Sequence, residues 1–231
     1  MISVIVPARN EEDCIERCLH SLKRQDYHKK YEIIVVDGHS SDKTPVIAKR
    51  YADKVLRMHP HGPAGARNDG AKRARYDILA FIDADCIAPK NWLAEIERQF
   101  ADKKLVGLGG MLRPYRGKLK DKIMFKINSD WWLRISSKFG AYQLTGNNCS
   151  YRRKKFLEIG GFNTHISFFE DTELSMRMSK IGKLKIDKDL WVETSTRRFR
   201  KMGYRKLFWI NLKAFWCMLN KKPIKTQYFN R

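Results

Sequence analysis

Asp83-Ala84-Asp85 closes an apolar run, Ile78-Leu79-Ala80-Phe81-Ile82. A short apolar run ended by carboxylates reads as a buried strand delivering acids to a sheet edge. Residues two apart on a strand face the same side, so Asp83 and Asp85 are expected to address one site together. Paired carboxylates repel unless something positive lies between them. A divalent cation, Mn²⁺ or Mg²⁺, held by a few carboxylates and phosphate oxygens, answers that repulsion. Taken alone, D-x-D reads equally well as two solvated acids at a strand end. Its neighbours decide.

The chain around this pair alternates strand and helix. Strand patterns cover 2–6, 32–36, 54–58 and 78–82; helix patterns cover 11–23, 44–51, 64–74 and 92–102. Such alternation predicts an α/β fold, a single Rossmann-like, mostly parallel sheet flanked by helices. Ligands then bind beyond the carboxyl ends of the strands. Three polar clusters fall there: Pro7-Ala8-Arg9-Asn10, Asp37-Gly38-His39-Ser40-Ser41-Asp42 and Asp83-Ala84-Asp85. Beyond them the pattern is less regular. Strands are expected over 106–112, 146–151 and 185–193, and helices over 118–139, 154–159, 169–180 and 203–220. The expected division is 1–112 and 113–200 as two halves of one domain, then 201–231 as a basic, aromatic, amphipathic C-terminal helix and tail.

The 231 residues carry 47 Lys and Arg against 25 Asp and Glu, a net charge of +22. From Arg197 to Arg231 there are eleven basic residues and no acid. Such a block implies an anionic partner or simple solubility. The five cysteines show no zinc-site spacing and point to a reducing, cytoplasmic setting. The sequence opens directly on a strand, so no signal peptide is expected. No apolar stretch is long enough to span a bilayer.

Taken together, these motifs resemble family 2 nucleotide-sugar glycosyltransferases with the GT-A fold. The matching residues are Val4-Ile5-Val6-Pro7-Ala8-Arg9-Asn10-Glu11, Val35 to Asp42, Gly65-Ala66-Arg67-Asn68, Phe81 to Asp85, Thr145-Gly146-Asn147-Asn148 with Gly160-Gly161-Phe162, and Glu170-Asp171-Thr172-Glu173-Leu174. Their order and spacing carry the resemblance. One departure stands out: the family often has Asp-Asp-Gly-Ser after the second strand, and here Gly38 and His39 replace the second Asp and the Gly.

The resemblance implies a metal-dependent, inverting sugar transfer from a UDP- or GDP-sugar to a hydroxyl acceptor, a glycan or lipid-linked saccharide. It places Pro7, Ala8, Arg9 and Glu11 at the nucleotide, with Asp37 accepting a hydrogen bond from the base. Glu11 and Asp42 equally suit helix-start roles. Arg67, after a glycine-rich entry, offers bidentate contacts to phosphate or base edges. Asp83, Ala84 and Asp85 face the donor, with Asp85 and Asp83 as metal ligands. Arg197 or Arg198 is the expected basic element over the diphosphate. Asp171 is the expected general base, with Glu170, Gly146, Asn147 and Asn148 on the acceptor side. The narrower alternative is a polyprenyl- or dolichyl-phosphate acceptor, which needs no base.

Leu207–Leu219 and Lys118–Phe139 mix aromatics with lysines and suit helices lying on an anionic membrane surface at the inner face of the cell membrane. Packing on the sheet and a homodimer interface are the other outlets. Charge alone also permits a nucleic-acid binder, but no such fold motif appears, so no nucleic-acid partner is expected. A sugar nucleotidyltransferase would carry a Gly-x-Gly-Thr-Arg loop after the first strand, which Pro7-Ala8-Arg9-Asn10 is not. A non-catalytic binder of the same fold separates from an enzyme by the effect of replacing Asp85 or Asp171.

Overall fold

The computed structural model describes residues 1–59, 62–127, 133, 137, 142–166, 169–197, 203, 206, 209, 212 and 216. The order begins β1 (Ile2–Ala8), α1 (Ile15–Lys23), β2 (Tyr31–Asp37), α2 (Thr44–Tyr51), β3 (Lys54–Arg57), α3 (Gly62–Arg73) and β4 (Ile78–Ile82). It continues β5 (Cys86–Ile87), α4 (Trp92–Gln99), β6 (Leu105–Pro114), α5 (Leu119–Phe125), β7 (Asn148–Arg152), α6 (Arg153–Glu158), α7 (Glu170–Ser179) and β8 (Lys183–Thr194). One eight-stranded sheet results, ordered β3-β2-β1-β4-β7-β6-β8-β5.

The apolar runs of β1, β2 and β4 feed two cores because successive side chains leave opposite faces of a strand. Ile2, Val4, Val6, Ile33, Val35, Ile78, Ala80 and Ile82 pack on one side with Leu19 and Leu22 of α1 and Trp92 of α4. Ile5, Ile34, Val36, Leu79 and Phe81 pack on the other with Ala66 and Ala71 of α3 and Phe156 of α6. Each buried aliphatic or aromatic side chain contributes about 1.5–3 kcal/mol. α3 lies close against the sheet: a Cβ on Gly70 would come 2.5 Å from Ile5 Cγ2. α6 ends where Gly160 and Gly161 take φ of 83° and 68°, a left-handed stop that glycine adopts without steric cost.

β1, β2, β3 and β4 are parallel, whereas β7 runs antiparallel between β4 and β6. That reversal matters for the site. Asn148 pairs with Ile82, so residues 145–147, immediately before β7, arrive at the edge where β4 ends. Ala8 pairs with Asp37, and Gly38 N–H donates to Ala8 O at 2.7 Å. The ends of β1, β2 and β4 thus share one rim.

Two expectations need correction. Asp83-Ala84-Asp85 is a turn, not strand: β4 stops at Ile82, and Cys86 N–H closes back on Asp83 O at 3.0 Å. Ala84, 2% exposed, packs into the core and leaves its two neighbours on the surface side. The helix expected from residue 11 begins at Ile15, because the backbone N–H groups of Asn10, Glu11 and Glu12 are held by side chains of Ser40, Thr44 and Asp42. The helix expected over 203–220 and Arg198 fall outside the described residues, save for single positions in that helix.

Candidate active site

The rim carries five carboxylates, Asp37, Asp83, Asp85, Glu170 and Asp171. The residue that organises several of them is Arg67 on α3. Its side chain is only 6% exposed, in the second turn of the helix and not at its start. One terminal nitrogen donates to Asp83 Oδ1 at 2.8 Å and the other to Glu170 Oε1 at 3.2 Å. The Phe162 ring lies 5.5 Å from the guanidinium, and a Cβ on Gly146 would come 2.9 Å from Arg67 Cζ. Burial works against the cation, and Asp83 and Glu170 more than restore it. Both terminal nitrogens are engaged with acids, so Arg67 ties the Asp83 turn to the start of α7.

Glu170 and Asp171 open α7. Phe169 before them has φ of 65°, a conformation that costs a bulky residue on the order of 1–3 kcal/mol. Asp171 Oδ2 accepts Gly146 N–H at 3.1 Å, and Oδ1 accepts Thr172 N–H at 2.7 Å. Burial nevertheless raises the Asp171 carboxyl above the usual range, against the pull of Gly146 N–H and Arg67. Burial first, then neighbouring Asp171, also raises Glu170. Two adjacent acids of this kind, with a guanidinium on Glu170, titrate as a pair. Asn147 beside them is half-buried, and its Oδ1 has no hydrogen-bond partner.

Asn148 corrects an expectation. It is fully buried, donates from Nδ2 to Met111 O at 3.0 Å and Leu190 O at 3.3 Å, and accepts Trp92 Nε1–H at 3.0 Å. Its amide is consumed in the core between β6, β8 and α4, so it fixes the start of β7 and has nothing left for an acceptor.

The β1–α1 and β2–α2 loops are stitched together. Asn10 and His39 both take left-handed φ, 52° and 61°. Asn10 N–H donates to Ser40 Oγ at 3.0 Å, and its Oδ1 accepts Ser41 N–H at 2.9 Å. Glu11 N–H donates to Thr44 Oγ1 at 2.8 Å. Asp42 accepts from Glu12 N–H and Thr44 N–H, the capping role its position allowed. Asp37 is 8% exposed and accepts Ser40 N–H at 3.3 Å. His39, the departure from the family pattern, accepts Arg57 Nε–H on Nδ1 and donates from Nε2 to Met58 O. It braces the loop on β3. Pro7 and Ala8 lie within β1, Arg9 is exposed beside Gly38, and Arg197 reaches across from the end of β8 to Glu11, at 2.9 and 3.0 Å.

Asp83 and Asp85 suit a hard divalent cation: both are carboxylates on one turn, partly exposed at the rim. Their fields converge on the same buried thiols. Burial, then Asp85 and Asp83, push Cys18 and Cys86 upward. Among the described residues no three His, Cys, Asp or Glu side chains form a closed metal cage. Such a pair holds a cation only together with ligand oxygens.

Sequence reasoning missed Asn68 and Thr172 as parts of the site frame. Asn68 exchanges two bonds with the Phe162 backbone, 2.8 and 2.9 Å, and so sets the ring over Arg67. Thr172 accepts Gln143 Nε2–H at 2.8 Å, which anchors the segment before Gly146. The motif Gly65-Ala66-Arg67-Asn68 contained the first signal; the pairing was not in the sequence.

Comparisons with known proteins agree with this fold. The family model for glycosyl transferase family 2 matches residues 3–160. Glycosyltransferase AglE of Haloferax volcanii is 37% identical over 99 residues, 40% of this chain and 33% of that protein. Beta-monoglucosyldiacylglycerol synthase of Trichormus variabilis is 28% identical over 193 residues, 77% and 41%. The chain therefore spans well under half the length of these curated relatives. Among solved structures, mannosyltransferase PcManGT from Pyrobaculum calidifontis, in complex with GDP-Man and Mn²⁺, superposes with a TM-score of 0.76 at 22% identity, covering 96% of this chain and 65% of that one. S. aureus TarS 1-349 with UDP-GlcNAc gives 0.70 at 21%, covering 97% and 68%. The fold is GT-A, and the chain belongs to glycosyl transferase family 2.

Proposed function

We propose that this chain transfers a sugar from a nucleoside diphosphate sugar to a hydroxyl acceptor with inversion at the anomeric carbon. The observation that carries this reading is the bridge Asp83–Arg67–Glu170: one buried guanidinium ties the turn that faces the donor to the acid pair on α7. Structural neighbours in complex with GDP-Man and Mn²⁺ or with UDP-GlcNAc support the donor class.

Asp37 accepts an N–H of the base, and Ala8, Arg9 and Glu11 line the nucleotide loop. Asp83 and Asp85 would hold Mn²⁺ or Mg²⁺, which would supply positive charge to offset that of the departing diphosphate. Asp171 takes the acceptor's hydroxyl proton as the new C–O bond forms and the bond to the diphosphate breaks. Its raised pKa suits that work, because a base nearer neutrality has more drive to accept a proton. Gly146 N–H holds one carboxylate oxygen in place. A phosphate acceptor would need none of this, so the raised Asp171 favours a hydroxyl nucleophile over a lipid phosphate.

Calorimetric titration with UDP and with GDP, each with and without Mn²⁺, tests the donor side. Metal-dependent binding of one nucleotide, lost in Asp85→Ala, is the expected result. Metal-independent binding, or no binding of either nucleotide, overturns the assignment.

A further inference from the structure

Leu119, Ile123 and Ile127 are 74, 49 and 44% exposed. They stand at i, i+4 and i+8, so they form one stripe along α5 and the turn after it. The opposite face is anchored: Phe125 and Asp121 are buried, and Asp121 accepts Lys118 N–H at 2.9 Å. Large aliphatics left in water beside a well-packed face mark a docking surface. Its rim is cationic throughout: Arg116, Lys118, Lys120, Lys122 and Lys126 are all exposed.

A second set of the same character follows β8, within the block from Arg197 that holds eleven basic residues and no acid. Trp209 and Trp216 are 64 and 54% exposed, Leu212 sits between them, and Lys206 is exposed one turn earlier. Among the described residues no helix is long and apolar enough to cross a membrane. A surface that is apolar in the middle, cationic at the rim and too short to span matches one environment, the anionic lipid–water interface.

We infer that the α5 stripe seats this protein on an anionic bilayer, with Leu119, Ile123 and Ile127 entering the acyl boundary and the surrounding lysines meeting lipid phosphates. A nucleic acid would use the charge but leave the three aliphatics exposed. A second copy of this +22 chain would meet like charge across the same rim. The position of α5 also fits. It leaves β6 at the carboxyl edge, where Tyr115 N–H donates to Thr194 O at 2.8 Å and Thr194 pairs with Cys86 of the Asp83–Asp85 turn. A bilayer seated on the stripe therefore lies at the rim of the site. On the reading given under Proposed function, the acceptor is then a hydroxyl carried on a lipid.

The test is co-sedimentation of the full chain with vesicles of phosphatidylcholine alone and of phosphatidylcholine with phosphatidylglycerol. Binding to the anionic vesicles only, weakened by salt, is expected. The variant Lys118→Gln/Lys120→Gln/Lys122→Gln/Lys126→Gln should lower partitioning by about several hundredfold, since each of the four lysines near an anionic surface accounts for roughly fivefold. Leu119→Ser/Ile123→Ser/Ile127→Ser should lower it by about tenfold or more. All seven side chains are exposed, so the fold survives, and an unchanged thermal melt checks it. No vesicle binding by the wild type, or full binding by the serine variant, overturns the inference. So does a stripe-dependent dimer in sedimentation equilibrium without lipid binding. Nucleotide titration on the same samples keeps the two proposals apart: intact nucleotide binding with no vesicle binding sinks only this one, and the reverse sinks only the donor assignment.

Discussion

Two acid clusters sit at opposite ends of the same strands, and they are built on opposite principles. At the amino end, Glu32 of β2 is 1% exposed and surrounded by donors. Arg75 N–H and Ser3 Oγ–H reach one oxygen at 2.6 and 2.7 Å, and Arg75 Nε and Lys54 Nζ reach the other at 3.1 and 3.0 Å. Burial alone would raise this carboxyl; those bonds overwhelm it and draw the pKa down to about 2. At the carboxyl end, Glu170 and Asp171 stand side by side, and Arg67 is spread between Glu170 and Asp83. There burial wins, and both carboxyls are raised. One acid with two cations is structure. Acids crowded around one guanidinium carry unspent negative charge, which a cation or a substrate proton can relieve.

The sharpest way to break this comparison is Asp171→Asn. Loss of the base should lower kcat by about 10²–10⁴-fold, with donor binding by calorimetry kept. Stability should move the other way. A carboxyl whose folded pKa is raised favours the fold while protonated and loses that contribution as pH rises through the folded value. At neutral pH the ionised acid is therefore a burden, and the Asn variant should melt higher. In the wild type the acid limb of kcat should lie above the ordinary carboxylate range, and it should vanish in Asp171→Asn. A variant that is inactive and also melts lower would make Asp171 a structural acid like Glu32.

Glu32→Gln is the counterpart. A drop from 4.5 to about 2 corresponds to roughly 3 kcal/mol of stability, in line with breaking a buried ion pair. That contribution is fully present above the ordinary glutamate range and is lost as pH falls toward 2. The variant should lose about 3 kcal/mol in denaturant unfolding at pH 7 and keep its kcat per folded molecule. The mutant and wild-type stabilities should converge in acid; a constant gap across pH would refute the ionic account.

The two clusters also differed in how legible they were. The carboxyl-end acids announced themselves because they sit in compact local patterns at a strand end and a helix start, Asp83-Ala84-Asp85 and Glu170-Asp171. β4 and α2 fell where periodicity put them, since an unbroken apolar run and a Thr-Pro helix start are local signals. Glu32 gave no signal: Ser3, Lys54 and Arg75 come from three other places in the chain, and only the parallel register collects them. The same blindness hid the partners of Arg67 and Asn148. Both sit in motifs that look ligand-facing, but their partners, Glu170 and Leu190, come from distant elements. The antiparallel β7 and two-residue β5 were equally invisible, because strand direction is decided by tertiary pairing.

Arg67→Lys sharpens the comparison at the shared charge. Lysine keeps the positive charge but loses the fork that holds Asp83 and Glu170 at once. The expected cost is about 1–3 kcal/mol in stability. With weaker compensation, Glu170 and Asp171 should rise further, so the acid limb of kcat should move to higher pH. An unchanged limb with lowered stability would mean the arginine acts on packing against Phe162 and not on the acids.

The smallest effect belongs to the contact between the two loops at the rim. Arg197 donates to both oxygens of Glu11, yet its side chain is 60% exposed. An exposed pair of this kind is worth about 0–1 kcal/mol, so neither residue is there for stability. Both lie instead where a donor diphosphate is proposed to pass, and a weak contact is what a residue must make if it is to leave one partner for another. Arg197→Gln should therefore raise the donor KM several-fold, on the order of 1 kcal/mol, while kcat and the melting temperature stay close to wild type. Glu11→Gln separates the roles: with its carboxylate gone, Arg197 gives up less on turning to a diphosphate, and the apparent affinity for UDP or GDP should hold or tighten. If Arg197→Gln instead lowers the melting temperature and leaves KM alone, the pair is a brace, and the rim resembles the amino end of the sheet more than the proposed site.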